Sequence, residues 1–127
     1  MGRLLLDAHV VIWWDTGSPA LGGAAKKAIQ HADAVYVSAA SEWEVTIKTS
    51  LGKIRIDRTI LDAVQDAGFE PLPVSFQHAH MVGQLKPIHK DPFDRLLIAA
   101  ALVEGLTLVT ADVRVAQYGV NVIDARR

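Results

Sequence analysis

Five short apolar runs, separated by segments with helical patterning, constrain this chain more than any other feature. The runs are Arg3–Leu6, Ala34–Val37, Phe69–Val74, Leu106–Thr110 and Val120–Ile123. Between them fall Ala8–Trp14, Ala24–His31, a segment from Ser41 through Lys48, Thr59–Ala67, Ser75–Leu85 and a long apolar stretch after Asp91-Pro92. Strands that alternate with helices imply a parallel sheet covered by helices on its faces, an α/β architecture. The run Phe69–Val74 carries Pro71 and Pro73, which cannot donate to a sheet ladder, so it suits an edge strand. The 127 residues fit one domain, 1–127, with a single core. No repeat, linker or low-complexity segment interrupts it.

The best-defined helix start is His89-Lys90-Asp91-Pro92-Phe93-Asp94-Arg95. Pro92 suits the first helical position, where its missing N–H would be unpaired in any case. Asp91 is the natural N-cap, and Asp94 follows in the first turn. Leu96 to Val103 is almost wholly apolar, so the helix is expected to be buried. Ser41-Glu42-Trp43-Glu44 matches a capping box at the start of another helix.

Composition excludes several classes. There is no cysteine, which removes disulfides, thiolate-held zinc and thiol catalysis. The net charge of −1 provides no overall field toward nucleic acid or anionic lipid, so any nucleic-acid contact must be local. No apolar run approaches a membrane span, and no charged leader precedes an apolar signal region. The expectation is a cytoplasmic protein with no membrane contact.

Acidic residues recur at element boundaries. Asp7 follows the first strand, Glu44 lies in the helix after the second, Asp112 follows the Leu106–Thr110 strand, and Asp94 opens the buried helix. Sites in open parallel sheets form outside the carboxyl ends of the strands. Asp94 joins the others only if its helix points its N-terminus at that edge. Four acids brought together would repel and raise one another's pKa values unless a cation lay among them. An oxygen-only donor set points to Mg²⁺, with Mn²⁺ as the alternative, and to hydrolysis of a phosphodiester. Each acid also has a plain structural explanation. Asp7 can cap a helix, Glu44 can serve the Ser41 capping box, Asp112 can shape a turn, and Asp91 can be a cap or a supporting group. A phosphorylated-aspartate domain is a third possibility. However, Ala8-His9 after Asp7 removes the Asp-x-Asp pair of one phosphatase class, and no lysine directly follows an apolar strand.

Four motifs in order, Leu4–Trp14, Val37–Ile54, His89–Ala101 and Leu108–Asp112, resemble the PIN-domain toxins of the VapC type, the ribonuclease halves of type II toxin–antitoxin pairs. The resemblance covers nearly the full length and implies a PIN-like three-layer fold. The family's acidic quartet maps to Asp7, Glu44, Asp94 and Asp112. Asp7 and Asp94 would be the most direct Mg²⁺ ligands, joined by Asp112, and Thr110 matches a polar position that helps hold the site. The sequence departs from the common pattern at Ala8, Lys90 and Ala111, where Thr, Arg and a basic or polar residue are frequent. The resemblance implies Mg²⁺-dependent cleavage of single-stranded or looped RNA, a homodimer, and a small antitoxin that blocks the active groove. DNA would be met only through the antitoxin. A PIN-like module that binds a partner without chemistry is the alternative.

Arg95, Lys48 and Lys90 are the leading candidates to touch RNA phosphates, with Lys53 and Lys86 behind them. Trp13, Trp14 and Trp43 could stack bases, although packing is the commoner fate of such residues. The histidines lack the spacing of a zinc helix motif, and none is assigned a catalytic role. His78 and His80, two apart, should not share a helix face.

Overall fold

A computed structural model describes residues 2–127. Five strands, β1 (Arg3–Leu6), β2 (Ala34–Ser38), β3 (Glu70–Leu72), β4 (Thr107–Thr110) and β5 (Val122–Asp124), form one sheet in the order β3-β2-β1-β4-β5. All four pairings are parallel. The helices are α1 (Ala8–Thr16), α2 (Gly23–His31), α3 (Ala39–Ser50), α4 (Ile60–Ala67), α5 (Phe76–Val82) and α6 (Pro92–Glu104), with a 3₁₀ turn at Val113–Tyr118. The expected α/β class and the three-layer arrangement are both present. Among the described residues, no helix is long and apolar enough to cross a membrane.

Period-2 side-chain direction divides the core. Leu4 and Leu6 of β1 face a cluster with Val10, Val11, Val37, Val45 and Val64 on the α1, α3 and α4 side. Leu5, between them, faces Leu97, Ile98, Ala101, Leu108 and Val115 on the α6 side. Leu5, Leu6, Ile98 and Val109 have no exposed surface. Each such side chain contributes roughly 1.5–3 kcal/mol of burial energy. The small Ala99, Ala100 and Ala101 let α6 lie close on the sheet.

Local chemistry explains most element ends. The helix after β1 runs to Thr16, beyond the expected stop at Trp14, because Gly17 adopts φ 65° and closes it. Gly22 precedes α2 where the backbone of Arg126 and Arg127 comes so close that any Cβ would collide with it. One expectation is corrected. Helix α3 is capped by Ser38, whose hydroxyl accepts from the Ala40 amide, and not by Ser41. Ser41 is buried in the first turn, and its Oγ has no hydrogen-bond partner. The helix follows β2 without a loop, so the first serine at the strand end takes the cap. Helix α5 ends at Val82, three residues short of the expected Leu85.

Helix α6 turns into β4 through Gly105, whose φ is 69°. It therefore runs antiparallel to the strands and delivers its N-terminus to their carboxyl edge. That orientation is the one the sequence argument needed for Asp94.

Candidate active site

The last paired row of the central strands is Leu6, Val37 and Val109. One residue further stand Asp7, Ser38 and Thr110, at the carboxyl edge of the sheet. A cleft of about 340 Å³ opens there, lined by Asp7, Glu44, Asp94, Asp112, Thr110 and Lys48, among others. All four acids proposed from the sequence thus reach one cavity, and Asp91 lines it as well.

Asp7 does two jobs at once. Its Oδ1 accepts from the Val10 amide as the N-cap of α1, and its Oδ2 accepts the Thr110 hydroxyl proton at 2.7 Å. Thr110 Oγ1 in turn accepts from the Asp112 amide at 3.1 Å, so one hydroxyl ties the ends of β1 and β4 together. Burial pushes the Asp7 carboxyl up, against the hydrogen bonds from Thr110 and Val10. Asp91 caps α6 as expected, accepting from the amides of Phe93 and Asp94. Asp94 is raised from 3.8 to about 6, first by burial and next by the neighbouring Asp91 charge, with Asp7 and Glu44 adding to it.

Glu44 is buried and bonds Lys48 Nζ one helical turn away at 2.6 Å. Its expected role as the Ser41 capping partner lapses with the cap itself. Asp112 differs from the other acids. Its oxygens receive the Arg114 amide, the Arg114 Nε and Nη2 at 2.8 and 2.7 Å, and His89 Nε2 at 3.0 Å. The Arg114 guanidinium holds its carboxyl far below the usual range.

The basic residues divide. Lys48 lines the cleft, and so does Arg126. Lys90 is exposed and lines an adjoining hollow with His89 and Arg114. Arg95, first among the expected RNA contacts, is committed elsewhere. Its guanidinium donates to the carbonyls of Val82, Leu85, Lys86 and His89 and reaches the Tyr118 hydroxyl. It staples the loop before α6 and is withdrawn as a phosphate contact. Of the tryptophans, Trp14 packs on Phe69, Trp13 lines the cleft, and Trp43 is exposed with its ring edge-on to Phe93.

Besides Arg126, sequence reasoning missed two groups that contact the acids directly. His89 brings a nitrogen within 3.1 Å of Asp94 Oδ2 and 3.0 Å of Asp112 Oδ2. Arg114 forks onto Asp112. The signals were faint: a histidine five residues before Asp94, and an arginine two residues after Asp112.

The donor set fits a hard divalent cation. Carboxylates just after β1, on α3, in the first turn of α6 and just after β4 line one cleft, there is no sulfur ligand, and Asp94 is pushed up to about 6 first by burial and then by the neighbouring acids. A parallel sheet with acids converging at its carboxyl edge defines a class, and residues 4–121 match that class, the PIN domain; the chain belongs to the PIN-domain family. Ribonuclease VapC22 of Mycobacterium tuberculosis is 32% identical over 121 residues, covering 93% of each chain. Among solved structures, the chain is similar to a DNA-bound VapBC from Salmonella typhimurium (TM-score 0.69, 21% identity, 97% and 98% of the two chains covered). It is equally similar to VapBC2 from Rickettsia felis bound to a promoter fragment (TM-score 0.69, 13% identity, 95% and 97% covered). The VapC-type resemblance carried by the four motifs is borne out.

Proposed function

We propose that this protein is a Mg²⁺-dependent endoribonuclease, the toxin of a type II toxin–antitoxin pair, working in the cytoplasm. The observation that carries the proposal is the raised Asp94 carboxyl in a cleft shared with Asp7, Glu44 and Asp112. Such a cluster is poised to exchange protons for a cation near neutral pH. Similarity to Ribonuclease VapC22 supports the substrate class.

Asp7 and Asp94 are the direct ligands in this reading, oriented by Thr110 and by the α6 cap. Asp112 joins them once the Arg114 fork lets go. Bound Mg²⁺, or Mn²⁺ in its place, would supply charge for the phosphodiester oxygens and acidify a water for hydrolysis. The chain's own residues do the rest. Lys48, held on Glu44, Lys90 on the rim, and Arg114 and Arg126 near the mouth attract the RNA backbone into a cleft whose acids would otherwise repel it. Hydrolysis adds water across one P–O bond, and the leaving ribose oxygen takes up a proton. In this reading the molecule works as a homodimer, and a cognate antitoxin occupies the cleft and carries any contact with DNA; similarity to DNA-bound VapBC complexes supports the antitoxin partner.

The test is incubation of partner-free protein with a cellular RNA pool, with Mg²⁺ and with EDTA, beside Asp7→Asn and Asp94→Asn. Discrete Mg²⁺-dependent fragments lost in both variants support the reading. No cleavage together with no metal binding would leave a PIN-like module that binds a protein partner and does no chemistry.

A further inference from the structure

His89, Asp94 and Asp112 each present a ligand atom within 4.8 Å of the other two, so distance alone would make them a metal triad. Hydrogen-bond direction decides otherwise. His89 Nδ1 lies 3.1 Å from the Asp91 backbone nitrogen. An amide N–H can only donate, so Nδ1 offers its lone pair and the ring proton sits on Nε2. Nε2 donates to Asp112 Oδ2 at 3.0 Å, and Asp94 Oδ2 lies 3.1 Å from the same nitrogen as a close ion-pair contact. The two sides of the ring agree. A ligating histidine has the opposite arrangement: a lone pair toward the metal and the outer N–H given to a carbonyl or carboxylate.

The segment that carries the ring is held in place. The His89 amide donates to Tyr118 Oη at 2.6 Å, and its carbonyl accepts from Arg95 Nη1 at 3.2 Å. Arg95 also fastens Val82, Leu85 and Lys86, so the loop that presents His89 is held along its length. The side chain is only 14% exposed.

We infer that His89 is a positioning residue: its Nε2–H is donated to Asp112 beyond β4, with Asp94 of α6 in contact with the same nitrogen, and so it keeps the two carboxylates together before any cation arrives, while the Nδ1 bond prevents it from becoming a ligand. The cleft therefore remains an oxygen-donor site and gains no preference for imidazole-seeking ions such as Zn²⁺. Its place in catalysis rests on the metallonuclease reading above; its tautomer does not.

Two measurements on the full chain test this. The first is a long-range ¹H–¹⁵N spectrum of the imidazoles of metal-free protein at neutral pH, with His89 assigned by His89→Gln. The Nε2–H pattern is expected; an Nδ1–H pattern overturns the inference. The second is Mn²⁺ binding followed by pulsed EPR. Parent protein should show no ¹⁴N coupling from a ligated imidazole. A coupling that disappears in His89→Gln would make the residue a ligand after all. His89→Ala should lose about tenfold in Mn²⁺ affinity, the usual scale for groups that orient ligands, and His89→Gln, which keeps an N–H donor, should recover most of it. Equal affinity in His89→Ala and parent overturns the positioning role. If the parent binds no Mn²⁺, the metallonuclease reading fails. The tautomer spectrum and the unfolding midpoints of the two variants then still decide whether His89 holds the carboxylates.

Discussion

His78 and His89 sit at opposite ends of helix α6 and are wired alike. His78 Nδ1 accepts from the Ser75 amide at 3.3 Å, and its Nε2 lies 2.8 Å from Glu104 Oε2 near the helix C-terminus. His89 Nδ1 accepts from the Asp91 amide, and its Nε2 meets Asp94 in the first turn of the helix. The surroundings separate them. His78 is 1% exposed, packed where α5 crosses α6, and has one carboxylate partner. His89 has two, and those two belong to a cleft with three more acids. The same device is a staple between helices at one end and an organiser of charge at the other. What a histidine–carboxylate pair does is set by the company it keeps.

The largest contrast should come from the carboxylates themselves. Asp94→Asn is expected to lower RNA cleavage by about 100-fold or more, since it removes a proposed cation ligand. Metal-free stability should hold or rise, because burial and the Asp91 charge already disfavour that carboxylate. Glu104→Ala should do the reverse: cleavage within about twofold of parent and a stability loss of about 1 kcal/mol for a lost hydrogen bond. Cleavage assays and urea unfolding on both variants check this. Loss of activity in Glu104→Ala with an intact fold would erase the distinction between the two ends.

His78→Ala should be the most destabilising change of the set, about 2–4 kcal/mol. It empties a fully buried site and strands the Ser75 amide and Glu104. Denaturant midpoints measure it. At temperatures where the variant stays folded, its Mn²⁺ affinity should equal that of the parent.

The two ends also differ in how far they could be read beforehand. The strands, the α6 start and all four acids were visible, because apolar runs, a Pro after an N-cap Asp, and carboxylates at strand ends are local signals. The His89 pair was not. Its carboxylate partners lie 5 and 23 positions away, and the second, Asp112, reaches it only through the fold. Arg95 was misread for the same reason. Next to Asp94 in sequence, it turns the other way on the helix and spends its donors on carbonyls that no pattern announces. Ser38 displaced Ser41 as the cap because α3 starts directly on β2, a boundary one turn earlier than the motif suggested. Contacts between distant segments, rather than propensities, held the missing information.

Acidity offers a sharper probe of the cleft end. Asp94 titrates at about 6 in the folded chain against 3.8 ordinarily, so the folded state binds its proton more tightly. Between those two values the folded state holds more protons than the unfolded one, and unfolding free energy falls as pH rises. Asp7, also raised, acts in the same direction. Asp112 is depressed; its contribution is lost only at lower pH and stays constant through this window. Allowing for solvent screening, metal-free protein should lose about 1–2 kcal/mol between pH 5 and pH 7. Saturating Mg²⁺ should abolish the loss at pH 7. A stability that rises steadily from pH 5 to 7 without metal would contradict the raised Asp94.

The smallest expected effects separate the two supports most cleanly. Tyr118→Phe removes the acceptor of the His89 amide, and Ser75→Ala removes the hydroxyl that caps α5 and accepts from the His78 amide. Each should cost about 1 kcal/mol, the scale of one lost hydrogen bond or one lost cap. Equal in stability, they should part in metal binding. Tyr118→Phe loosens the loop that presents His89 and should weaken Mn²⁺ binding by about two- to threefold, a fraction of the effect of altering an orienting group directly. Ser75→Ala should leave it unchanged. Isothermal titration with Mn²⁺ on both variants resolves a difference of this size. If both weaken binding equally, the cleft responds to general loosening of α6, and the loop clamp by Arg95 and Tyr118 has no special claim on the site.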